Sequence, residues 1–318
     1  MSIAGFDRFM VFFVASLAIL SLPGVSAAEA LKPEVKSAAT GHGVTLHYVE
    51  AGHGPPLVFV HGSLSDYTYW DDQVAPFATR YHVIVYSRRY NFPNKNSPIT
   101  GYSAVTDAED LAGLIKALHL GKVFLVGHSY GALTTLFLAS RHPELIRAAA
   151  LAEPPAVSLL QHLPGDEAAR GRALFEDIQA RMIAPMKAAF ASGDDYAGVG
   201  DFIDYVFNDP NAWEHMSASS KADTLRDAHE WDVMMTRGTL FPDISPEAIR
   251  AIQVPMLLLS GAKSYAFLAL TDEDLARLLP HNRHVVFADA GHQMWLKRPE
   301  DCRRDVEAFF AGHGGPAL

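Results

Sequence analysis

Short apolar runs alternate with helical periodicities along most of this chain, and this alternation restricts the fold more than any other feature. Each run is continuous, as is typical of strands buried on both faces of a sheet. The runs occupy residues 57–60, 82–86, 123–126, 148–152, 256–259 and 284–287. Between them, the spacing of Leu111, Leu114, Ile115 and Leu118 predicts a helix with one apolar face. The order predicts an α/β fold with a mostly parallel sheet and right-handed crossovers.

Three segments depart from this pattern. Residues 45–50 predict an antiparallel strand at the sheet edge, and the small, polar residues 28–42 predict a loose lead-in. Between residues 155 and 248 the spacing is helical and no strand is evident. About 90 residues are too many for an ordinary crossover. We therefore expect a core of residues 28–154 and 249–318 with residues 155–248 as a helical cap. Ordinary crossover helices are the alternative.

The N-terminus has the pattern of an export signal. Arg8 precedes an apolar run from Phe9 to Leu22, and small residues up to Ala27 follow a Pro-Gly break. The run of about 14 residues is shorter than the roughly 20 that a membrane-spanning helix needs. Residues 1–27 are thus predicted to be a signal peptide, cleaved after Ala27 or Ala28. The mature protein is then periplasmic or secreted, without a stable membrane span. An uncleaved N-terminal anchor is the alternative.

Charge and cysteine content exclude several classes of function. The formal net charge is −10, with 26 Lys+Arg against 36 Asp+Glu. Such a balance argues against non-specific binding to nucleic acids or anionic membranes, because both depend on clustered basic residues. The single cysteine, Cys302, excludes an intramolecular disulfide and a multi-cysteine zinc site. We expect a small-molecule substrate and neither a metal nor a cofactor.

A nucleophile motif follows the run at 123–126. Residues 127–131 read Gly-His-Ser-Tyr-Gly and open a helical stretch that continues to about residue 142. A serine on a strand-to-helix turn projects its hydroxyl into a cleft, and glycines two residues away avoid collisions. The start of the helix directs free N–H groups towards a developing oxyanion. Ser129 is the predicted nucleophile, and the Tyr130 N–H is a predicted oxyanion donor.

Two further turns are expected at the same sheet edge. His61-Gly62-Ser63 ends the run at 57–60, and the Ser63 N–H is the second predicted oxyanion donor. Gly291-His292 follows the last run after a short loop. Ligands of open α/β sheets bind at the carboxyl ends of the strands. His292 is therefore the predicted general base for Ser129.

From about residue 45 to 312 the chain resembles an α/β-hydrolase with a helical cap. The resemblance is carried by the turn at 61–63, the Ser129 motif and Gly291-His292. It implies an eight-stranded sheet, a cap inserted after the sixth strand and a triad of nucleophile, acid and histidine.

The chain departs from the family pattern at the triad acid. The usual slot after the strand at 256–259 holds Ser264, and the next acids, Asp272 and Glu273, are too far along. Glu153 ends the run at 148–152 and precedes two prolines, so it projects from the same sheet edge. This arrangement resembles that of haloalkane dehalogenases and zearalenone-type lactone hydrolases, in which the triad acid follows the strand that corresponds to residues 148–152. Glu153 is the predicted acid, and Asp289 is the less favoured substitute.

The residues around the site give weaker signals. Substrate-binding candidates are His61, Tyr67, Trp70, His128 and Trp231, and core packing is the alternative for each. Arg88 and Arg89 follow the strand at 82–86, and anion binding is one use for them.

A serine nucleophile can attack a carbonyl and form an acyl-enzyme. The predicted function is therefore a serine hydrolase of carboxylic esters or lactones. Carbon–carbon bond hydrolysis, perhydrolysis and acyl transfer on the same triad remain open. So does a non-catalytic, ligand-binding relative.

Overall fold

A computed structural model describes residues 34–41, 43–207 and 209–317. The predicted signal peptide, residues 1–27, lies outside the described residues. Within these ranges, no helix is long and apolar enough to cross a membrane.

The described residues form one eight-stranded, mostly parallel sheet with helices around it. Its strands are β1 (Lys36–Gly41), β2 (Val44–Ala51), β3 (Pro56–Val60), β4 (His82–Tyr86), β5 (Val123–His128), β6 (Ile146–Ala152), β7 (Met256–Gly261) and β8 (Asn282–Phe287). The spatial order is β1-β2-β4-β3-β5-β6-β7-β8. β2 runs antiparallel to β1 and β4, and the strands from β3 to β8 are parallel. The predicted α/β fold is confirmed.

β1 corrects the sequence analysis, which treated residues 28–42 as a loose lead-in. Lys36–Gly41 instead pairs with β2, with Ala39 opposite Thr45. Most side chains of this strand are exposed. An exposed edge strand of small and polar residues carries no apolar pattern, because pairing of its main chain with the neighbouring strand is what holds it.

Both faces of the sheet are buried, as the continuous apolar runs predict. In β3, Val58 and Val60 belong to one apolar cluster, whereas Leu57 and Phe59 belong to the cluster on the opposite face. The helices that cover the sheet outside the β6–β7 interval are α1 (Asp71–Ala78), α2 (Ala104–Ala117), α3 (Tyr130–Arg141), α11 (Ala266–Leu278), α12 (Met294–Lys297) and α13 (Pro299–Ala311).

The interval between β6 and β7 is helical and holds no strand among the described residues. It contains α4 (Glu167–Ile178), α5 (Ala184–Ala191), α6 (Asp195–Phe207), α7 (Ala212–His215), α8 (Ala218–Arg226), α9 (Ala228–Arg237) and α10 (Pro246–Arg250). A π turn over Gln179–Ile183 joins α4 to α5. The boundaries of a separate cap at residues 155 and 248 stay a prediction.

The strand register brings the predicted site residues to one edge. Gly127 of β5 lies opposite Val60 of β3 and Leu151 of β6, and Ala152 of β6 lies opposite Leu259 of β7. Because these strands are parallel, their carboxyl ends meet at the same side of the sheet.

Candidate active site

Ser129 occupies a strained turn between β5 and α3. Its φ of 53° and ψ of −123° lie in a region that residues with side chains rarely adopt. The Ser129 N–H donates to the Ala152 carbonyl at 2.8 Å, so the neighbouring strand β6 holds the turn. A Cβ atom on Gly131 would lie 2.2 Å from the Val60 oxygen. The glycine therefore permits the close approach of α3 to β3 that this turn requires.

We expect Gly131→Ala to destabilise the protein by about 1–3 kcal/mol or more, because backbone atoms of β3 leave no room for a methyl group. Urea denaturation checks this prediction. The matched control is Gly312→Ala, where the nearest atom to the added Cβ would be 3.4 Å away. Equal denaturation midpoints for the two variants would contradict the steric account.

Glu153 and His292 lie in direct contact although 139 residues separate them. His292 Nδ1 donates to Glu153 Oε2 at 2.6 Å, and the carboxylate is fully buried. The other oxygen, Oε1, accepts the Gly261 N–H at 2.7 Å. The Glu153 N–H donates to the Leu259 carbonyl at 3.2 Å, which anchors the residue against β7. The ends of β6 and β7 thus aim one carboxylate at the imidazole.

The other candidate carboxylates, Asp289 and Asp272, do not contact His292. Asp289 is 55% exposed and pairs with Arg298. Asp272 is buried, where it accepts the Ser260 hydroxyl at 2.5 Å, and burial raises its pKa well above the usual range. Glu153 is the carboxylate that the structure places against His292.

Ser129 and His292 line the same cavity. The described residues show no direct hydrogen bond between the Ser129 hydroxyl and the imidazole. Because Nδ1 is bonded to Glu153, Nε2 is the nitrogen left to accept a proton from Ser129. Catalytic hydrogen bonds of this kind often tighten only when substrate is bound.

The two residues with the predicted oxyanion donors line the cavity together with Ser129. Tyr130 is the first residue of α3, so its N–H has no acceptor within the helix. Ser63 follows the end of β3, and both residues line the cavity with Ser129. The Tyr130 side chain is buried and faces the Arg88 guanidinium at 4.9 Å, which leaves its backbone as the group towards the site.

The cavity has a volume of about 420 Å³, within the usual range for small-molecule sites. The helical interval and α11 supply apolar walls, among them Met182, Phe202, Ile203, Trp231 and Phe267. Among the described residues, no Asp, Glu, Lys or Arg lines it.

The substrate-binding candidates divide into two groups. His128 and Trp231 line the cavity, whereas His61, Tyr67 and Trp70 do not. Trp70 packs in the core against Phe59, with ring centroids 4.9 Å apart. Tyr67 and Trp70 begin and end one short 3₁₀ helix, where residues three apart share a face.

In that helix Tyr69, on another face, reaches the cavity. His61 is fully buried behind the Ser63 turn, with both ring nitrogens bonded to backbone. No local signal distinguishes which aromatic residue of such a helix faces the site. Arg88 and Arg89 are also buried, and each pairs with carboxylates of the chain itself rather than lining the cavity.

His128 supports the loop that carries His292. Its Nε2 lies 2.9 Å from the His292 carbonyl, and its ring stacks on Tyr69. Burial lowers the pKa of His128 to about 3. The imidazole is therefore neutral near pH 7, and Nε2–H donates to the carbonyl oxygen.

We expect His128→Gln to reduce the loss of stability on acidification. Between pH 6.5 and about 3, the unfolded chain binds a proton at His128 that the folded chain does not. Stability contributed by this group is therefore lost as pH falls below 6.5, by up to about 1.4 kcal/mol per pH unit. Urea denaturation at pH 5, 6 and 7 measures the slope. The exposed His53→Gln variant serves as control, and equal slopes for the two variants would refute the assignment.

Comparison with known proteins agrees with this architecture. A profile described as the alpha/beta hydrolase family matches residues 57–305. The chain belongs to the α/β-hydrolase family and is a hydrolase.

Among curated proteins, it is similar to 2-(acetamidomethylene)succinate hydrolase of Mesorhizobium japonicum. The two are 34% identical over 275 residues, which cover 84% of this chain and 92% of that protein. It is also similar to 2-hydroxy-6-oxo-6-(2'-aminophenyl)hexa-2,4-dienoic acid hydrolase of Metapseudomonas resinovorans. That identity is 27%, over 85% of this chain and 88% of the relative.

Among solved structures, an enol-lactonase from Burkholderia xenovorans has a TM-score of 0.67 at 21% identity, covering 86% of this chain and 99% of that one. Carboxylesterase CesB from Bacillus subtilis has a TM-score of 0.66 at 18% identity, and the match covers 89% of this chain and 93% of the esterase. At these identities the likeness concerns the fold.

Proposed function

We propose that this hydrolase cleaves carboxylic esters or lactones through an acyl-enzyme on Ser129. The observation that carries the proposal is the buried Glu153–His292 pair at the cavity that Ser129 lines. His292 Nε2 takes the hydroxyl proton as Ser129 Oγ bonds to the carbonyl carbon, and the N–H groups of Tyr130 and Ser63 hold the oxyanion. Glu153 stabilises the imidazolium.

The tetrahedral intermediate then breaks its bond to the leaving oxygen. His292 returns the proton to that oxygen, so the alcohol leaves and the acyl group stays on Ser129. A water molecule, deprotonated by His292, attacks the acyl carbon in the second half. The carboxylic acid departs and Ser129 recovers its proton, with neither a cofactor nor a metal taking part in these steps.

The cavity favours an uncharged, largely apolar substrate. Burying a carboxylate without a cation is costly, and no Lys or Arg of the described residues lines this cavity. The two curated relatives are named for a succinate and a dienoic acid, substrates that carry carboxylates. We infer that this chain takes neutral esters or lactones instead.

Paired substrates test this proposal. p-Nitrophenyl hexanoate is compared with mono-p-nitrophenyl adipate, which has the same chain length but ends in a carboxylate. The methyl ester of the adipate is the third substrate, because it is larger than the adipate but uncharged. We expect kcat/KM for the acid to be about 100-fold below that of both neutral esters, since an unpaired buried charge costs several kcal/mol. An acid hydrolysed as well as its methyl ester would overturn the substrate class. No turnover of any ester or lactone would overturn the proposed reaction.

Carbon–carbon bond hydrolysis is the second candidate, because the same residues can attack a ketone and the dienoic acid hydrolase is among the relatives. Cleavage of a diketone without turnover of any ester would favour it. Perhydrolysis and acyl transfer are separated by product analysis with hydrogen peroxide or an added alcohol. Tight binding without any turnover would indicate a ligand-binding protein.

We also propose export of the protein, from the pattern of residues 1–27. Mass spectrometry of the mature N-terminus tests this. A protein that starts at Ala28 or Glu29 in the periplasmic or secreted fraction supports it, and an intact N-terminus in the membrane fraction contradicts it.

A further inference from the structure

Arg88 lies two residues after the end of β4, buried against the turn that carries one of the oxyanion donors. We define the oxyanion turn as residues 61–63. We propose that Arg88 is a positioning residue that orients the Ser63 N–H by binding the Gly62 carbonyl on the other side of the same peptide unit. This inference rests on the proposed function, because it gives Arg88 a task in oxyanion binding.

The side chain of Arg88 holds the turn by two hydrogen bonds. Its Nη2 donates to the Gly62 oxygen at 2.9 Å, and its Nε donates to the His61 oxygen at 3.3 Å. The guanidinium also lies over the ring of Tyr130, whose N–H is the other oxyanion donor. One buried cation therefore contacts both the carbonyl of the peptide unit that carries the Ser63 N–H and the side chain of Tyr130.

His61 adds a second donor to the same carbonyl. Its Nε2 accepts the Arg88 N–H at 3.0 Å, so the ring proton is on Nδ1, which donates to the Gly62 oxygen at 2.8 Å. Burial and the charge of Arg88 lower the pKa of His61 well below its usual value, which keeps the imidazole neutral. The Gly62 oxygen thus accepts from Arg88 and from His61.

The planarity of the peptide bond transmits this constraint. The Gly62 C=O and the Ser63 N–H belong to one trans peptide unit, so they point in opposite directions. Two donors on the oxygen fix the plane and thereby the direction of the N–H. They also polarise the unit, which strengthens the N–H as a donor. The turn lies against the nucleophile, since a Cβ on Gly62 would be 3.2 Å from the Ser129 Cβ.

The turn needs such support because its exit is strained. Leu64, the next residue, has a φ of 50°, which is costly for a residue with a side chain. Arg88 is itself held by Asp107, at 2.9 Å, and by Glu230 of α9. A buried ion cluster contributes little net stability, so a positional role accounts better for this one.

The comparison of Arg88→Lys with Arg89→Lys tests the inference. Arg89 is also buried and forms two hydrogen bonds to Asp110 at 2.6 Å, but it makes no hydrogen bond to the oxyanion turn. A lysine keeps the charge in each case, yet it cannot bind both the turn and the two carboxylates that Arg88 spans. Loss of an oxyanion donor costs about 10²–10³-fold in kcat.

We expect Arg88→Lys to lower kcat for a neutral ester by about 10- to 100-fold with KM within about twofold, because the donor is misdirected rather than removed. Arg89→Lys stays within about threefold of wild type. A trifluoromethyl ketone forms an oxyanion when Ser129 adds to it. The affinity of Arg88→Lys for this inhibitor should therefore decrease by a factor similar to the decrease in kcat. Equal effects of the two substitutions on kcat, or an Arg88→Lys effect confined to KM, would overturn the inference.

Two further measurements keep the test decisive. His61→Leu removes the second donor without changing the buried charge, and it should also lower kcat at constant KM even if Arg88→Lys misfolds. The amide resonance of Ser63 reports its hydrogen-bonding environment without any turnover. A Ser63 resonance that moves in Arg88→Lys and not in Arg89→Lys supports the inference, even if the protein cleaves no ester. Failure to cleave any ester would contradict only the proposed function. A Ser63 resonance that does not move in Arg88→Lys would overturn the inference about Arg88.

Discussion

Ser129→Ala is expected to reduce kcat for a neutral ester by about 10⁵–10⁶-fold, because it removes the hydroxyl that is proposed to form the acyl-enzyme. Binding of the substrate should persist, since the cavity walls are unchanged. Residual hydrolysis above the uncatalysed rate is expected from the oxyanion donors and the binding site. Stopped-flow and end-point assays with p-nitrophenyl hexanoate, together with calorimetric binding of the ester to the variant, measure both effects.

Ser264→Ala is the matched control for this variant. Ser264 occupies the slot where the family usually has its acid, and its buried hydroxyl has no hydrogen-bond partner among the described residues. Its removal should leave kcat within about threefold of wild type. Retention of full activity by Ser129→Ala would show that the nucleophile is another group.

The second large effect is expected for Glu153→Gln, which should lower kcat by about 10³–10⁴-fold. Glutamine keeps the size of the side chain but cannot compensate the charge of the imidazolium. Its amide N–H₂ can also face His292 Nδ1–H, so that two donors meet and the tautomer changes. The kcat of the purified variant at pH 7 checks this.

Asp289→Asn separates the two acids that the sequence leaves open. Asp289 is exposed and pairs with Arg298, so its variant should retain kcat within about twofold. Glu153→Asp should lie between wild type and Glu153→Gln, because one methylene fewer shortens the reach to His292. A large decrease of kcat in Asp289→Asn, together with an unchanged kcat in Glu153→Gln, would show that Asp289 and not Glu153 is the triad acid.

Much of the fold and the site could be predicted because it depends on local patterns. Strands buried on both faces show as continuous apolar runs, and the Gly-His-Ser-Tyr-Gly turn needs its glycines for close approach, as the 2.2 Å distance at Gly131 shows. Glu153 could be selected because parallel strands end at the same edge. β1 is not predictable in this way, because its exposed residues are held by main-chain pairing, which leaves no apolar pattern.

The α/β class and the position of the Ser129 turn follow from the amino-acid sequence, since each is set by neighbours within one strand, turn or helix. The packing of the elements determines which aromatic residues face the cavity, the lack of charged side chains among its described lining residues, and the place of His61 and Arg88 behind the oxyanion turn. The reason is physical. Arg88 meets Glu230 across 142 residues of chain, and such a contact depends on how whole elements pack rather than on any local pattern.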